Sequence, residues 1–333
     1  MQLDCKLCTC FFAINAILLA NVCIFKGIIL PPTVTPSASA AQRQALPPSD
    51  PAALLDAVLR TNETTANPRL RTLMDALIRH VHAFALEVDL QPAELEYGLD
   101  FLVRIGQASG PKKHEGILMA DLIGLATLVC LREARYALAA GGTEPALIGP
   151  FWRANQPLRA NGECIAAQST PGPKLTVRGR VTSLDGKPLA GARVETWQAS
   201  PKGFYENQDP DQEHMNLRGR FETDADGRFW FDSVRPAGYP VPTDGPGGEL
   251  LRAQGRHSMR PAHLHFLVAA SGHKVLATQY FDIEDEHAYD DVVFGAVGSL
   301  LRKFEPDGAG GFSLDIELRL EPGQTRVPAP PLA

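Results

Sequence analysis

The spacing of apolar positions changes period once along this chain, and the change divides it in two. From residue 67 the apolar positions are Leu70, Leu73, Met74, Leu77, Ile78, Val81, Phe84, Ala85 and Val88, the i, i+3, i+4, i+7 pattern of a helix that buries one face. Asn67 followed by Pro68 supplies an N-cap and a first-turn proline, and Asp50 with Pro51 repeats the device one helix earlier. Residues 92–107 and 114–138 carry the same helical spacing. His80 and His82 do not share a helical face, which argues against a common metal there.

After the segment "AAGGTEPALIGPF" (139–151) the period becomes two. "KLTVRGRVTS" (174–183) and "ARVETWQA" (192–199) alternate on either side of a "DGKPLAG" turn. "GRFETDADGRFWFDSV" reads as two strands about Asp226-Gly227, and "HLHFLVAA", "KVLATQYFDI" and "GFSLDIELRLE" add three more. Short strands separated by Gly, Pro and Asp turns predict a sandwich or a related barrel. The expected fold class is α+β: an all-α domain over 49–140, an antiparallel β-sandwich over 141–322, and a Pro-rich tail over 323–333.

Composition supports a globular protein of this size. The chain has 333 residues, 44% hydrophobic and 21% charged, enough for two ordinary domains. A net charge of -6 offers no clustered basic face, so no nucleic-acid partner is expected, and no Gly-rich phosphate loop is present. Residues 1–48 stand apart. They hold Cys5, Cys8, Cys10 and Cys23, and the Cys5-x-x-Cys8 pair has no second ligand pair at workable spacing. Residues 10–30 are strongly apolar, and Ala38-Ser39-Ala40 resembles a cleavage site. A signal peptide, a membrane anchor and a start placed too far upstream all stay open; membrane contact is expected only if 10–30 is retained.

The chemistry centres on "RPAHLHFLV" (260–268). In a strand His263 and His265 project to one face while Leu264 and Phe266 project to the other. Two imidazoles on one face either form a buried hydrogen-bonded patch or hold a metal. Asp282 and Glu284 at the end of the next strand keep a two-histidine, one-carboxylate Fe(II) site open. The other candidates are Tyr205 in "GFYENQDPDQ" and Tyr239 in "RPAGYPVPTDGP", two of only six tyrosines. A phenolate is a hard anionic donor suited to Fe(III), although a loop tyrosine more often ties its hydroxyl to backbone.

"GFYENQDPDQ…NLRGRF", "RPAGYPVPTDGP", "GRHSMRPAHLHF" and "TQYFD", in this order, resemble the intradiol ring-cleavage dioxygenases, the non-haem Fe(III) enzymes acting on catechol, chlorocatechol and hydroxyquinol. The likeness runs from about residue 65 to 322. It implies one Fe(III) per chain held by Tyr205, Tyr239, His263 and His265, with Tyr239 the tyrosine that leaves the iron on substrate binding. It also implies that Arg260 and Gln279 stabilise negative charge on the bound diolate, and that O2 opens the ring to a muconate- or maleylacetate-type diacid. Gly149, Pro150 and Phe151 of "IGPFWR" match a pocket wall, with Phe151 leaning towards the hydroxyquinol enzymes; residues Phe101 to Ile105 are a further pocket candidate. "DDVVFGAVGSL" leans towards hydroxyquinol or chlorocatechol types, "ATQYF" towards catechol types. The resemblance further implies a cytoplasmic homodimer joined through the helical domain. Two rivals remain at this point: a non-catalytic exported β-sandwich module, and an Fe(II) extradiol enzyme.

Overall fold

The computed structural model describes residues 48–110 and 113–330. The apolar segment 10–30 and its neighbouring cysteines lie outside these residues. Among the described residues no helix is long and apolar enough to cross a membrane. The chain forms two compact units, one ending at Gly106 and the other beginning at Gln107.

The first unit is helical: Pro51–Asn62, Pro68–Glu87 and Pro92–Gln107. Each begins at a proline, whose fixed φ and missing N–H suit a first turn. Asp50 Oδ1 accepts the Ala53 amide at 2.9 Å, and Asn67 Oδ1 accepts the Arg69 and Leu70 amides at 3.0 Å. The predicted caps therefore close these helix ends.

The helix expected over 114–138 is two helices, Glu115–Leu122 and Leu125–Ala139. Gly124 between them sits at φ +71°, a left-handed conformation that ends the first helix. The apolar spacing runs on through the break, so periodicity alone does not reveal it.

Among the described residues eleven strands follow: β1 (Lys174–Ser183), β2 (Arg193–Gln198), β3 (Arg218–Glu222), β4 (Arg228–Val234), β5 (Tyr239–Pro240), β6 (Met259–Arg260), β7 (His263–Ala269), β8 (Leu276–Asp282), β9 (Leu301–Arg302), β10 (Glu305–Pro306) and β11 (Phe312–Leu320). A short helix, Pro246–Ala253, lies between β5 and β6. One sheet has the order β10-β11-β1-β4, the second β3-β2-β7-β8-β9, and β5 pairs with β6.

The sheets are mixed and not purely antiparallel as expected. β1 runs parallel to β11 from Leu175 opposite Phe312 to Ser183 opposite Leu320, and β8 runs parallel to β9. Alternation along a strand fixes which face is buried, not the direction of its neighbour. The two strands about Asp226-Gly227 also lie in different sheets, β3 in one and β4 in the other.

One apolar cluster is shared by both sheets: Val177, Phe229, Phe231 and Leu318 from the first, Val194, Leu264, Phe266 and Val268 from the second. Burying a side chain the size of Leu or Phe contributes roughly 1.5–3 kcal/mol. β7 turns Leu264, Phe266 and Val268 into that core. His263 and His265 consequently occupy its other face.

Candidate functional site

β7 is the middle strand of its sheet, and its neighbours fix the two imidazoles. His265 stands opposite Trp197 on β2 and Gln279 on β8, and His263 opposite Phe281. Directly opposed residues share a face and touch. The Trp197 ring stacks on His265 at 4.6 Å and 8°, and Phe281 lies 4.9 Å from His263, ring centre to ring centre. The loop after β2 brings in Tyr205, whose ring stacks on Phe151 at 4.5 Å. The short β5–β6 ladder sets Tyr239 opposite Arg260. The Tyr205 and Tyr239 rings then meet edge to face at 5.3 Å.

The polar atoms of these side chains converge. His263 Nε2 lies 3.1 Å from His265 Nε2, which lies 3.1 Å from the Tyr205 hydroxyl. His263 Nδ1 is 2.7 Å from the Pro261 carbonyl. Only an N–H can satisfy a carbonyl, so Nδ1 donates and Nε2 of the neutral ring carries a lone pair. His265 Nδ1 is buried with no protein partner. Both histidines and both tyrosines are nearly inaccessible, at 1–3% exposure.

Burial and the nearby Arg260 charge push His263 down to about 3; burial, with His263 and Arg260 adding, holds His265 well below the usual imidazole range. Burial, reinforced by Tyr239, pushes the Tyr205 phenol well above its ordinary value. The protein's own groups thus favour neutral imidazoles and a protonated Tyr205 phenol. Two nitrogen donors and two phenol oxygens in one buried spot fit a hard, highly charged cation, which would supply the charge a phenolate needs. Tyr205, Tyr239, His263 and His265 could hold it.

Arg260 flanks this group. Its Nη1 is 3.4 Å from both the Tyr239 hydroxyl and His263 Nε2, and its Nη2 donates to Gln279 Oε1 at 3.3 Å. Burial opposes its charge, yet Asp291 beside it holds its pKa above the ordinary value. Gln279 in turn donates from Nε2 to the Leu147 carbonyl, tying the sheet to the segment 147–151.

A cavity of about 220 Å³ opens beside these residues. Its wall includes Gly149, Pro150, Phe151, Tyr239 and Arg260, all singled out in the sequence. Tyr205, His263, His265 and Gln279 are not among its lining residues. Asp282 joins nothing at this site. Its carboxylate accepts Arg235 at 2.9 Å and the Glu284 amide at 3.1 Å, and one strand position from Phe281 it faces away from the histidines. The two-histidine, one-carboxylate grouping is not assembled with Asp282 or Glu284.

Sequence reasoning missed Asp121, which lines the cavity together with Leu118, His114, Val241 and Val293. Burial, partly offset by Arg260, raises its carboxyl to about 7. The available signal was one carboxylate in the otherwise apolar run "GILMADLIG".

The chain is similar to known proteins over most of its length. A family model described as "Dioxygenase" matches residues 147–321, and one described as "Catechol dioxygenase N terminus" matches residues 67–141. The chain is 41% identical over 270 residues to 6-chlorohydroxyquinol 1,2-dioxygenase of Cupriavidus pinatubonensis, covering 81% of this chain and 96% of that one. It is 41% identical over 244 residues to catechol 1,2-dioxygenase of Candida albicans, covering 72% and 80%. Its fold superimposes on the crystal structure of hydroxyquinol 1,2-dioxygenase from Pseudomonas putida with TM-score 0.75 and 38% identity, covering 82% of this chain and 99% of the other.

Proposed function

This chain belongs to the intradiol ring-cleavage dioxygenases, oxidoreductases of catechol-type diols whose members use non-haem iron, and on that premise we propose that its substrate is hydroxyquinol, a benzene ring with hydroxyls at positions 1, 2 and 4. The observation that carries this reading is Asp121. A cavity wall of Leu118, Leu147, Pro150, Phe151, Val241 and Val293 suits any aromatic ring, but a buried carboxyl in that wall needs a polar partner. A third ring hydroxyl provides one, and a plain catechol leaves Asp121 unmatched. A site built to hydrogen-bond a substrate hydroxyl rejects the analogue lacking it, because its own buried group is then left unpaired.

Tyr205, Tyr239, His263 and His265 would hold one Fe(III) per chain. Bound there, ferric iron would supply the electron-withdrawing centre that makes a ring carbon of the diolate reactive towards O2. The remaining work falls to the chain itself. Tyr239 lines the cavity whereas Tyr205 does not, so Tyr239, as the phenolate that a bound cation would stabilise, is the tyrosine positioned to take a proton from the incoming diol and leave as the neutral phenol. Arg260, at the same wall, is a permanent cation that holds the negative charge of the deprotonated ring. Gln279 fixes Arg260 Nη2 from behind. Phe151, Pro150 and Val293 exclude water and set the ring plane.

We read residues 49–140 as the helical domain, 141–322 as a catalytic β-sandwich and 323–333 as a tail. The chain is read as a cytoplasmic homodimer through the helical domain. Support comes from Leu86, Leu95, Leu99 and Val103, which remain 42–63% exposed on its helices.

The test is a substrate panel with iron-loaded protein. Hydroxyquinol is expected to exceed catechol and 4-chlorocatechol in kcat/KM by at least about tenfold, the difference one matched hydrogen bond supplies. Equal or reversed preference overturns the assignment.

A further inference from the structure

We propose that Asp291 is a positioning residue for the ring-cleavage reaction: with the turn Val293–Ala296 it clamps Arg260 so that one guanidinium nitrogen faces the reacting ring. This rests on the reading above that Arg260 stabilises the diolate. The geometry is two-sided. Asp291 Oδ1 accepts Arg260 Nε at 3.1 Å, and Oδ2 accepts Arg260 Nη2 at 3.1 Å. This is the bidentate fork that gives a carboxylate control over guanidinium orientation. Asp291 is itself held. Its Oδ1 accepts the Val293 amide at 3.3 Å, and its Oδ2 the Gly295 and Ala296 amides at 3.0 and 3.1 Å.

With Nε and Nη2 engaged, only Nη1 is left to point at the Tyr239 hydroxyl and His263 Nε2. A buried guanidinium without this clamp could rotate about its long stem and lose its aim. Two observations make the clamp more than a charge pair. Both partners are buried, at 4% and 5% exposure, so water does not screen them. Gly295 also stands where a side chain would wedge the pair apart: a Cβ there would lie 3.0 Å from Arg260 Nη2 and 3.2 Å from Asp291 Oδ2. Val293 of the same turn lines the cavity. One loop therefore aims the cation and forms part of the substrate wall.

The experiment uses the full-length, iron-loaded chain, with kcat, KM, iron content, the visible absorption of the resting enzyme and the thermal midpoint measured together. Asp291→Asn keeps the shape but sets an amide donor against the two donors at Oδ1 or the three at Oδ2. It is expected to lower kcat by roughly 10- to 100-fold, as misaimed groups do, with KM within about threefold and the visible band and iron content unchanged. Gly295→Ala is expected to act in the same direction by a smaller factor. In an Arg260→Lys background, where the fork is already gone, Asp291→Asn is expected to cost less than about twofold, since residues acting as one unit are non-additive. Wild-type kcat in Asp291→Asn, or full independent losses in the double variant, overturns the proposal. If Asp291→Asn does not fold, Gly295→Ala decides, and an unchanged kcat there overturns it. Failure of the wild type to open any diol would instead sink the functional reading beneath it.

Discussion

Asp290 and Asp291 are consecutive, each sits beside a basic side chain, and they have opposite fates. Asp290 lies in an exposed group with His257 and His287: it is 3.3 Å from His257 Nε2 and 3.0 Å from His287 Nδ1, and the two rings stack at 4.8 Å. Asp291 is buried against Arg260, next to the second histidine pair, His263 and His265. The exposed group offers two nitrogens and a carboxylate within 4.8 Å of one another. By ligand type alone it is the better metal candidate. Its hydrogen bonds say otherwise. The Met259 amide donates to His257 Nδ1 at 3.1 Å, so the neutral ring carries its proton on Nε2, aimed at Asp290. In that group Asp290 already takes both rings, His257 through Nε2 and His287 through Nδ1. In the buried pair two Nε2 atoms face each other at 3.1 Å, and His265 Nδ1 has no protein partner. Unmet valence in a dry place marks a site more reliably than the number of ligands in reach.

The largest expected break in this contrast comes from Tyr205→Phe. It removes an oxygen donor from the buried group and leaves its volume nearly intact. Activity should fall by more than the roughly 10–100-fold typical of losing an outer partner of a metal site. The visible band expected of tyrosinate on Fe(III) should shift or vanish in the same preparation. A Tyr205→Phe enzyme that keeps both its colour and its turnover would remove Tyr205 from the site.

Asp121→Asn comes next, because it changes a buried carboxyl of the cavity wall. Preference for hydroxyquinol over catechol should drop by about tenfold, the size of one buried hydrogen bond. Stability should respond to pH with a definite sign. Folding raises the Asp121 pKa from 3.8 to about 7, so the native state holds the proton over that window and the unfolded chain releases it. Wild-type stability from this group is therefore present at low pH and is lost as pH rises through about 7. The thermal midpoint of Asp121→Asn relative to wild type should rise between pH 5 and pH 8. A pH-independent difference would show that Asp121 is not titrating there.

Much of this was legible in the sequence, and the reasons differ by level. Period-three-and-a-half and period-two patterns placed the helical and sheet-rich halves, and Asp50 and Asn67 marked helix starts that the structure caps as expected. The alternation in β7 placed His263 and His265 together opposite Leu264 and Phe266. Strand direction was not legible, since β1 and β11 meet in parallel with most of the second unit between them. Nor was the break at Gly124, where a single φ interrupts an unbroken apolar pattern. Asp121 and Asp291 were missed for a common reason. Each acquires its meaning only from Arg260 or the cavity, and nothing local distinguishes Asp291 from the exposed Asp290 beside it.

The smallest expected effect is at the exposed pair, and it tests the contrast from the other side. In His287→Ala the ring is lost from a group whose side chains are 19% exposed at His287, 38% at His257 and 56% at Asp290. Water can replace each lost hydrogen bond there, so the change in stability should stay within about 0.5 kcal/mol, as for ordinary surface substitutions. Iron content, visible absorption and kcat should match wild type. The neighbouring Asp291 gives this prediction its edge, because it takes its amide bonds from Val293, Gly295 and Ala296 and none from the His287 side. If His287→Ala nevertheless lowered kcat severalfold at full iron occupancy, the exposed group would be steadying the Arg260 clamp, and the line drawn between Asp290 and Asp291 would have to move.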